Sequence, residues 1–186
     1  MSIVLFCSCN SCDNKEEKKS VTTVEQMISA DTDSMKAKGN EFVWYETLIL
    51  LDNYLDADTI AKPAEIVNVF QAVKKYSEQS FDTKVYKFQH FADGTFANDS
   101  TEGFWIEDYP IKDSLVKIPY DSAFVLMQQV NLPKPHSRHV CLRTPMGPLD
   151  CNPQYVFGNI QEQIWIDATT GEARNSNPAF PVEFSK

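Results

Sequence analysis

The sequence predicts an α+β fold in which an antiparallel sheet packs with two helices. Two stretches carry apolar residues at helical spacing, several shorter stretches alternate apolar and polar residues as strands do, and turn residues separate them. The chain has 186 residues. A single domain at residues 41–186 is therefore large enough to bury a hydrophobic core.

The chain begins with a cluster of three thiols, Cys7, Cys9 and Cys12, which fits neither a zinc site nor a redox motif. A zinc site needs four ligands, and the remaining cysteines lie far downstream. The Cys9–Cys12 pair also lacks the βαβ pattern that accompanies a redox CxxC. The cluster therefore needs another explanation.

An apolar run at residues 3–6, followed by a small residue and Cys9, resembles the lipobox of bacterial lipoproteins. The charged stretch at residues 13–20 resembles the surface-export signal of lipoproteins from the Bacteroidota group. The resemblance implies that residues 1–8 are the remnant of a signal peptide and that Cys9 carries the lipid, with Cys12 as the alternative. The protein would then reside in the cell envelope as an outer-membrane lipoprotein that faces the periplasm or the cell surface. The alternative is a disordered tail with cysteines on a cytosolic protein.

Residues 9–40 are predicted to be a flexible tether, with at most a short helical turn within residues 20–40, because they are mostly polar and show weak hydrophobic periodicity. The tripeptide Asp33-Ser34-Met35 resembles the O-glycosylation sequon that Bacteroidota use on exported proteins. The resemblance makes Ser34 the predicted modification site in the tether. The alternative is that Asp and Ser gather here as cap and turn residues.

The first two elements of the domain are predicted to be a strand and a helix. Residues 41–51 are rich in aromatic and β-branched residues and apolar on both faces, which favours a buried strand, with a helix as the alternative. A helix is predicted to open at Pro63, whose missing N–H costs nothing in a first turn. The apolar residues that follow at helical spacing are Ile66, Val69, Phe70, Val73 and Tyr76.

The rest of the chain predicts two hairpin-like regions with a second helix between them. The pattern predicts a strand at residues 84–91, a turn at Asp93-Gly94 and a strand at residues 103–107. A helix at residues 122–130 and three more strands follow, at residues 139–142, 154–157 and 163–167. Phe104 to Glu107 echoes Ile164 to Asp167, which two helix-plus-hairpin units at residues 62–110 and 119–175 would explain. Chance similarity between amphipathic strands explains the echo as well.

The segment from Ile164 to Ala173 runs from a strand into Asp-Ala-Thr-Thr-Gly-Glu and is similar to the end of PepSY-like domains. The turn has a physical basis, because Asp167 can accept hydrogen bonds from the amides that follow and Gly171 can adopt a positive φ. The resemblance covers about 55 residues, from Pro119 to Ala173. It implies a noncatalytic extracytoplasmic module, and by analogy a role in regulating a protease.

Cys141 and Cys151 flank a segment in which Pro145, Gly147 and Pro148 predict a turn. Such a turn would bring the two sulfur atoms together. In an oxidising compartment outside the cytoplasm, we expect a disulfide between them, with two reduced and buried cysteines as the alternative.

The composition and motifs exclude several functions. A net charge of −9 argues against nucleic acid as a partner. The sequence contains no nucleophile elbow, zinc-protease motif or phosphate-binding loop, and we expect no metal and no cofactor. Glu107 and Asp108 are adjacent, which in a strand points them to opposite faces and argues against a glycosidase pair.

The sequence thus predicts a noncatalytic lipoprotein that binds an unknown protein or peptide partner and contacts the membrane through its acyl anchor. The second hypothesis is a surface protein that binds a glycan or small molecule and uses Trp44, Trp105 or Trp165 as a stacking platform. The third is a hydrolase of unrecognised type.

Overall fold

The computed structural model describes residues 23–39, 41–57, 61–77 and 80–180. This part of the chain has an α+β fold with an antiparallel sheet of nine strands and two α-helices, as the sequence predicts. The helices are α1 (Val24–Ala37) and α2 (Tyr120–Gln129). The strands are β1 (Glu41–Leu51), β2 (Pro63–Ser77), β3 (Ser80–Phe91), β4 (Phe96–Glu102), β5 (Asp108–Tyr109), β6 (His139–Pro145), β7 (Gln154–Gly158), β8 (Gln163–Asp167) and β9 (Ala173–Arg174).

The strand order is β4-β3-β2-β1-β6-β7-β8-β9, and the short β5 pairs with β6. Each helix precedes four consecutive antiparallel strands, α1 before β1–β4 and α2 before β6–β9. The two runs of strands meet where β1 pairs with β6, with Glu46–Leu50 opposite His139–Arg143. The first of these runs begins at α1, whereas the sequence pattern predicts a helix-plus-hairpin unit that begins at residue 62.

Both helices contribute to one hydrophobic core. Cross-strand partners share a face of the sheet, so that Ile49 lies on the same face as its partners Ile66 and Val140. These residues belong to the core that also contains Met35 of α1 and Met127 of α2. We call the other face of the sheet, which carries Leu48, Val67 and Cys141, the open face.

The helix α1 replaces the last part of the tether predicted at residues 9–40, whereas residues 9–22 lie outside the described part of the chain. Its buried residues, Val24, Ile28, Asp31 and Met35, recur every three or four positions and form one narrow stripe. The remaining positions are mostly polar, so that the composition of the segment resembles that of a linker. Thr23 accepts a hydrogen bond from the amide of Gln26, whose side chain accepts one from the amide of Thr23, and this capping box fixes the helix start.

A buried chain of hydrogen bonds joins α1 to the sheet. The Oδ2 atom of Asp31 accepts from Nδ2 of Asn68 at 2.6 Å and lies 2.8 Å from Nε2 of His90. The Oδ1 atom of Asn68 accepts from the hydroxyl of Thr47 at 2.6 Å. Asp31, Asn68 and Thr47 are buried, so that these bonds satisfy groups that would otherwise be costly to remove from water.

Two further predictions about the first half were wrong. The segment from Pro63 to Tyr76 lies in β2, a strand paired with β1 and β3 over most of its length. Its apolar residues occupy both faces, with Ile66 and Phe70 toward the helices and Val67 and Val69 toward the open face. Because apolar residues occupy both faces, the sequence does not show the alternation of apolar and polar residues that indicates a strand. The spacing of its apolar residues instead matched that of a helix.

The strand that follows β3 is also displaced from its predicted position at residues 103–107. The turn at Asp93-Gly94 was predicted correctly, and the amide of Phe91 bonds the carbonyl of Thr95 across it. Because a tight turn fixes the register, the partner strand begins at once as the polar strand β4. Residues 104–107 form a loop, so their echo of residues 164–167 reflects no equivalent position in the fold.

The second half follows the sequence prediction closely. The helix and the three strands predicted from residue 122 onward appear as α2, β6, β7 and β8. The predicted turn also forms, because Asp167 accepts bonds from the amides of Thr169 and Thr170 at 2.8 Å and Gly171 has a φ of +79°. Burial acts to raise the pKa of the Asp167 carboxyl, but these hydrogen bonds, together with those from the side chains of Asn152 and Gln154, lower it below its ordinary value.

Candidate functional site

The proposed anchor residues Cys9 and Cys12 lie outside the described residues. Ser34 lies on the exposed side of α1, where its hydroxyl donates to the carbonyl of Ala30 at 3.0 Å. The side chain is therefore accessible, although it stands on a helix and not on a tether.

The three tryptophans occupy different environments. Trp44 and Trp165 are buried in the domain, with 7% and 1% of their surface exposed. The partly exposed Trp105 lies over the open face, where its amide donates to Oε1 of Gln71 at 2.8 Å and the ammonium of Lys87 lies 5.5 Å from the ring centre. Trp44 and Trp165 are thus unsuited to stacking on a glycan, and the aromatic platform is reduced to one partly covered ring.

Cys141 and Cys151 form no disulfide in the structure, which corrects the predicted pairing. The strand β6 continues to Pro145, four residues beyond Cys141 or about 13 Å along a strand. The sulfur of Cys151 lies near that far end, 3.9 Å from the carbonyl oxygen of Pro145. The chain does turn between the two cysteines, but the turn places Val156, not Cys151, opposite Cys141.

A cleft of about 430 Å³ opens at the centre of the open face, where β1 and β6 pair. Its apolar walls include Leu48, Leu50, Val67 and Val156. Its polar groups include Glu46, Glu65, His139, Cys141, Arg143 and Gln163. The cleft therefore offers apolar surface together with a small number of polar groups, as binding sites usually do.

A cluster of charged side chains lies at one end of this cleft. Glu46 of β1 is 5% exposed, and its Oε1 atom accepts a hydrogen bond from the Cys141 thiol at 2.8 Å. Burial is the main cause that raises the pKa of the Glu46 carboxyl and that of the Cys141 thiol. A thiol held in this protonated state is a poor nucleophile, which argues against covalent catalysis by Cys141.

The second buried carboxyl is that of Asp108, on the short strand β5. Burial raises its pKa to about 7, against the attraction of Arg143. The nearest guanidinium nitrogen of Arg143 is 3.6 Å from Oδ1 of Asp108, which is an ion pair without a good hydrogen bond. Arg143 also lies over the ring of Trp165, at 5.7 Å from its centre.

Buried polar atoms without a hydrogen-bond partner concentrate in the same region. Among the described residues, seven of eight such side-chain atoms belong to Trp105, Asp108, Arg143, Thr144, Gln154 and Trp165. Native proteins leave few buried polar groups unpaired, and such concentrations mark sites where function or movement outweighs stability. This observation selects the open face as the candidate site.

The loop at residues 103–107, which we call the apolar loop, borders this cluster. Ile106 is 78% exposed and Phe104 is 60% exposed, whereas Trp105 between them is partly covered. Leu48 on the open face is also exposed. Exposed apolar side chains beside a polar cleft are typical of an interaction surface.

A larger cavity of about 550 Å³ lies near the start of α1, between Val24, Met27, Pro63 and His90. Its walls are mostly apolar, and His90 contacts Asp31 in the hydrogen-bond chain described above. Within the described part of the chain, no polar atom of this cavity belongs to the unpaired group, so the cavity lacks the feature that selects the open face.

Within the described ranges, no three His, Cys, Asp or Glu side chains come together as ligands for a metal ion. No helix between residues 23 and 180 of the described chain has the length and apolar character to span a membrane. No protein-family model, curated protein or solved structure matches this chain.

Glu46, Asp108 and Arg143 were not predicted to form a site from the sequence. One signal was present, because Glu46 is a charged residue within a run that is otherwise predicted to be a buried strand. The signal at Asp108 is weaker. Adjacent residues of a strand point to opposite faces, and in the structure Asp108 is buried while its neighbour Glu107 is exposed.

Proposed function

We propose that this protein binds an extended segment of a partner protein on the open face of its sheet. The observation that carries the proposal is the exposed apolar loop beside an acid-lined cleft. The apolar side chains of Leu48, Phe104 and Ile106 supply surface for burial, and the cleft supplies polar groups for orientation.

The charge of the site favours a segment that carries basic as well as apolar side chains. Glu46 and Glu65 line the cleft, Glu107 lies exposed on the apolar loop, and the whole chain has a net charge of −9. Arg143 forms an ion pair with Asp108 and Glu46 is buried, so the carboxylates placed to meet a cation are those of Glu65 in the cleft and Glu107 on the loop. Complementary charge of this kind increases the association rate and selects among partners.

The edge strand β4 is a less suitable site for such a segment. All seven of its residues are exposed and most are polar, including Asp99 and Glu102. An added strand would find main-chain hydrogen bonds there but no pockets for its side chains, which provide specificity in strand addition. The cleft offers such pockets.

We further propose that the protein is an exported lipoprotein, anchored at Cys9 or Cys12 in the outer membrane and facing the periplasm or the cell surface. The sequence pattern of the leading residues supports this. The twice-repeated order of one helix and four strands supports a tandem PepSY-like arrangement, and with it a partner that is a protease or its substrate. Mass spectrometry of the native N-terminus tests the anchor, which an unlipidated chain that still begins at Met1 would refute.

Selection from a display library of random peptides tests the binding proposal. Peptides that combine apolar and basic residues should be enriched on the full chain, and their binding should protect residues 103–107 and the cleft from hydrogen exchange. Ile106→Ser should weaken binding by about tenfold or more, since it removes a large side chain from the contact. Val125→Ser is the control, because Val125 is an exposed apolar residue on α2, on the other side of the sheet.

Two results would count against the proposal. One is the absence of any enriched peptide. The other is binding that Ile106→Ser and Val125→Ser weaken equally, because the two residues lie on opposite sides of the sheet.

A further inference from the structure

We propose that Asp108 is a proton-controlled latch, which holds the apolar loop against the open face when its carboxyl is protonated and lets the loop lift when the carboxyl ionises. The inference adds regulation to the proposed binding surface. The latch itself is a property of the free protein, so that it is testable without any partner.

The geometry gives the loop few points of attachment. The strand β5 consists of two residues, and its ladder with β6 joins Asp108 to Pro145 and Tyr109 to Thr144. Upstream, the Gly103 amide donates to the Thr83 carbonyl at 3.1 Å and the Trp105 amide donates to Gln71 at 2.8 Å. Downstream, the Ile111 amide donates to the Trp44 carbonyl at 2.7 Å. Segments with so few backbone bonds open locally at a low free-energy cost.

Docking of the loop buries the Asp108 carboxyl in a position that suits the neutral acid better than the carboxylate. The side chain is 1% exposed, and neither oxygen has a hydrogen-bond partner within the described chain. Removing a carboxylate from water without such partners is far more costly than removing a neutral carboxylic acid.

Several charged groups surround Asp108. Arg143 on β6 attracts the carboxylate, whereas Glu46 on β1 and Glu107 on the same loop repel it. Lys87 on β3 acts on Glu46, and the Cys141 thiol on β6 stays protonated beside Glu46. Of the groups that act on Asp108 itself, Arg143 is the one cation and Glu46 and Glu107 are both acidic, so that ionising Asp108 adds a negative charge where carboxylates already outnumber cations.

The sign of the pH dependence follows from the raised pKa. The carboxyl has an ordinary pKa of 3.8 when exposed and about 7 when buried, so the docked state binds the proton more tightly. Docking is therefore most favourable below pH 3.8, weakens as the pH rises and reaches a plateau above about 7. Between those limits the docking equilibrium constant should fall by up to about tenfold for each pH unit.

The apolar loop carries Phe104 and Ile106, so lifting it changes what the open face presents to a partner. It also uncovers Trp105 and the unpaired groups beneath the loop. Protonation of one side chain thereby switches the site between a covered and an uncovered state.

Hydrogen exchange of the full chain at several pH values, corrected for intrinsic exchange rates, tests the latch. Protection of residues 103–109 should fall steeply between about pH 5 and pH 7 and then level off, whereas protection of β1 should change little. Asp108→Asn, which keeps the size but removes the charge, should abolish the fall. Glu107→Gln removes an exposed carboxyl of the same loop and should retain it.

Protection that stays constant with pH in the wild-type protein would overturn the proposal, and so would a fall that survives in Asp108→Asn. If Asp108→Asn disturbs folding, the wild-type profile and that of Glu107→Gln still decide the matter, because the latch requires the fall in both. Failure of the peptide selection would leave this result intact, which separates the latch from the binding proposal.

Discussion

Replacing Asp31 with alanine should reduce the free energy of unfolding markedly, because Asp31 joins α1 to the sheet. The substitution removes the acceptor of the Asn68 amide at 2.6 Å and the partner of the His90 ring at 2.8 Å. Asn68 is fully buried, so its amide would be left without a partner at a cost of about 1–3 kcal/mol. His90 retains some access to solvent and adds less, which gives an expected loss of about 2–4 kcal/mol.

Urea denaturation followed by far-ultraviolet circular dichroism measures this loss. Asp33→Ala is the matched control, because Asp33 lies two residues away on the same helix in an exposed ion pair with Lys36 at 2.8 Å. Exposed pairs contribute little, so the control should change stability by less than about 1 kcal/mol. Equal stability of the two variants would mean that α1 does not dock on the sheet as described.

Three further predictions concern single residues. Asp108→Asn should stabilise the protein above about pH 7, because the wild type buries a carboxylate there. The gain should be at most about 4 kcal/mol, and less if the loop lifts. Thermal melts should show that the gain vanishes below about pH 4. Gly158→Ala should lower the free energy of unfolding by several kcal/mol in a urea melt. Gly158 has a φ of +121°, and an added Cβ would collide with the Glu162 carbonyl. A loss below about 1 kcal/mol would contradict the described turn. Alkylation of the unfolded chain without a reductant, followed by peptide mapping, should find both Cys141 and Cys151 labelled. In the native chain Cys141 should be labelled slowly, because burial raises the pKa of its thiol. A pair of peptides linked by a disulfide would contradict the structure.

The second half of the fold was predictable from sequence because its signals are local. The strands β7 and β8 are short and bounded by turn residues, and the turn after Asp167 depends on side-chain hydrogen bonds to the next few amides. Such features owe little to distant parts of the chain. Their positions therefore agreed with the pattern.

The first half depends on contacts that no local window contains. The strand β2 is buried on both faces because α1 packs on one face, where Asp31 bonds Asn68, and Trp105 reaches over Gln71 on the other from a distant loop. Likewise α1 is held by Met35 in the core and by Asp31 against a side chain that lies 37 positions further along the chain. These tertiary contacts override what weak periodicity suggests.

The candidate site was harder to predict for the same reason. Glu46, Asp108 and Arg143 come from three separate strands, and only the sheet register places them together. A sequence reveals that Glu46 is a charge in a buried run. It does not reveal that Asp108, on the distant strand β5, will face the same Arg143.

The meeting of β1 and β6 has a consequence for assembly. Five rungs between Glu46–Leu50 and His139–Arg143 form the whole sheet connection between the two runs of four strands within the described chain. If two chains exchanged their strands β6–β9, β1 of each chain would pair with β6 of the other through the same five residue pairs, and no new contact would be needed. We therefore predict that refolding at high protein concentration yields some domain-swapped dimer, which size-exclusion chromatography would detect.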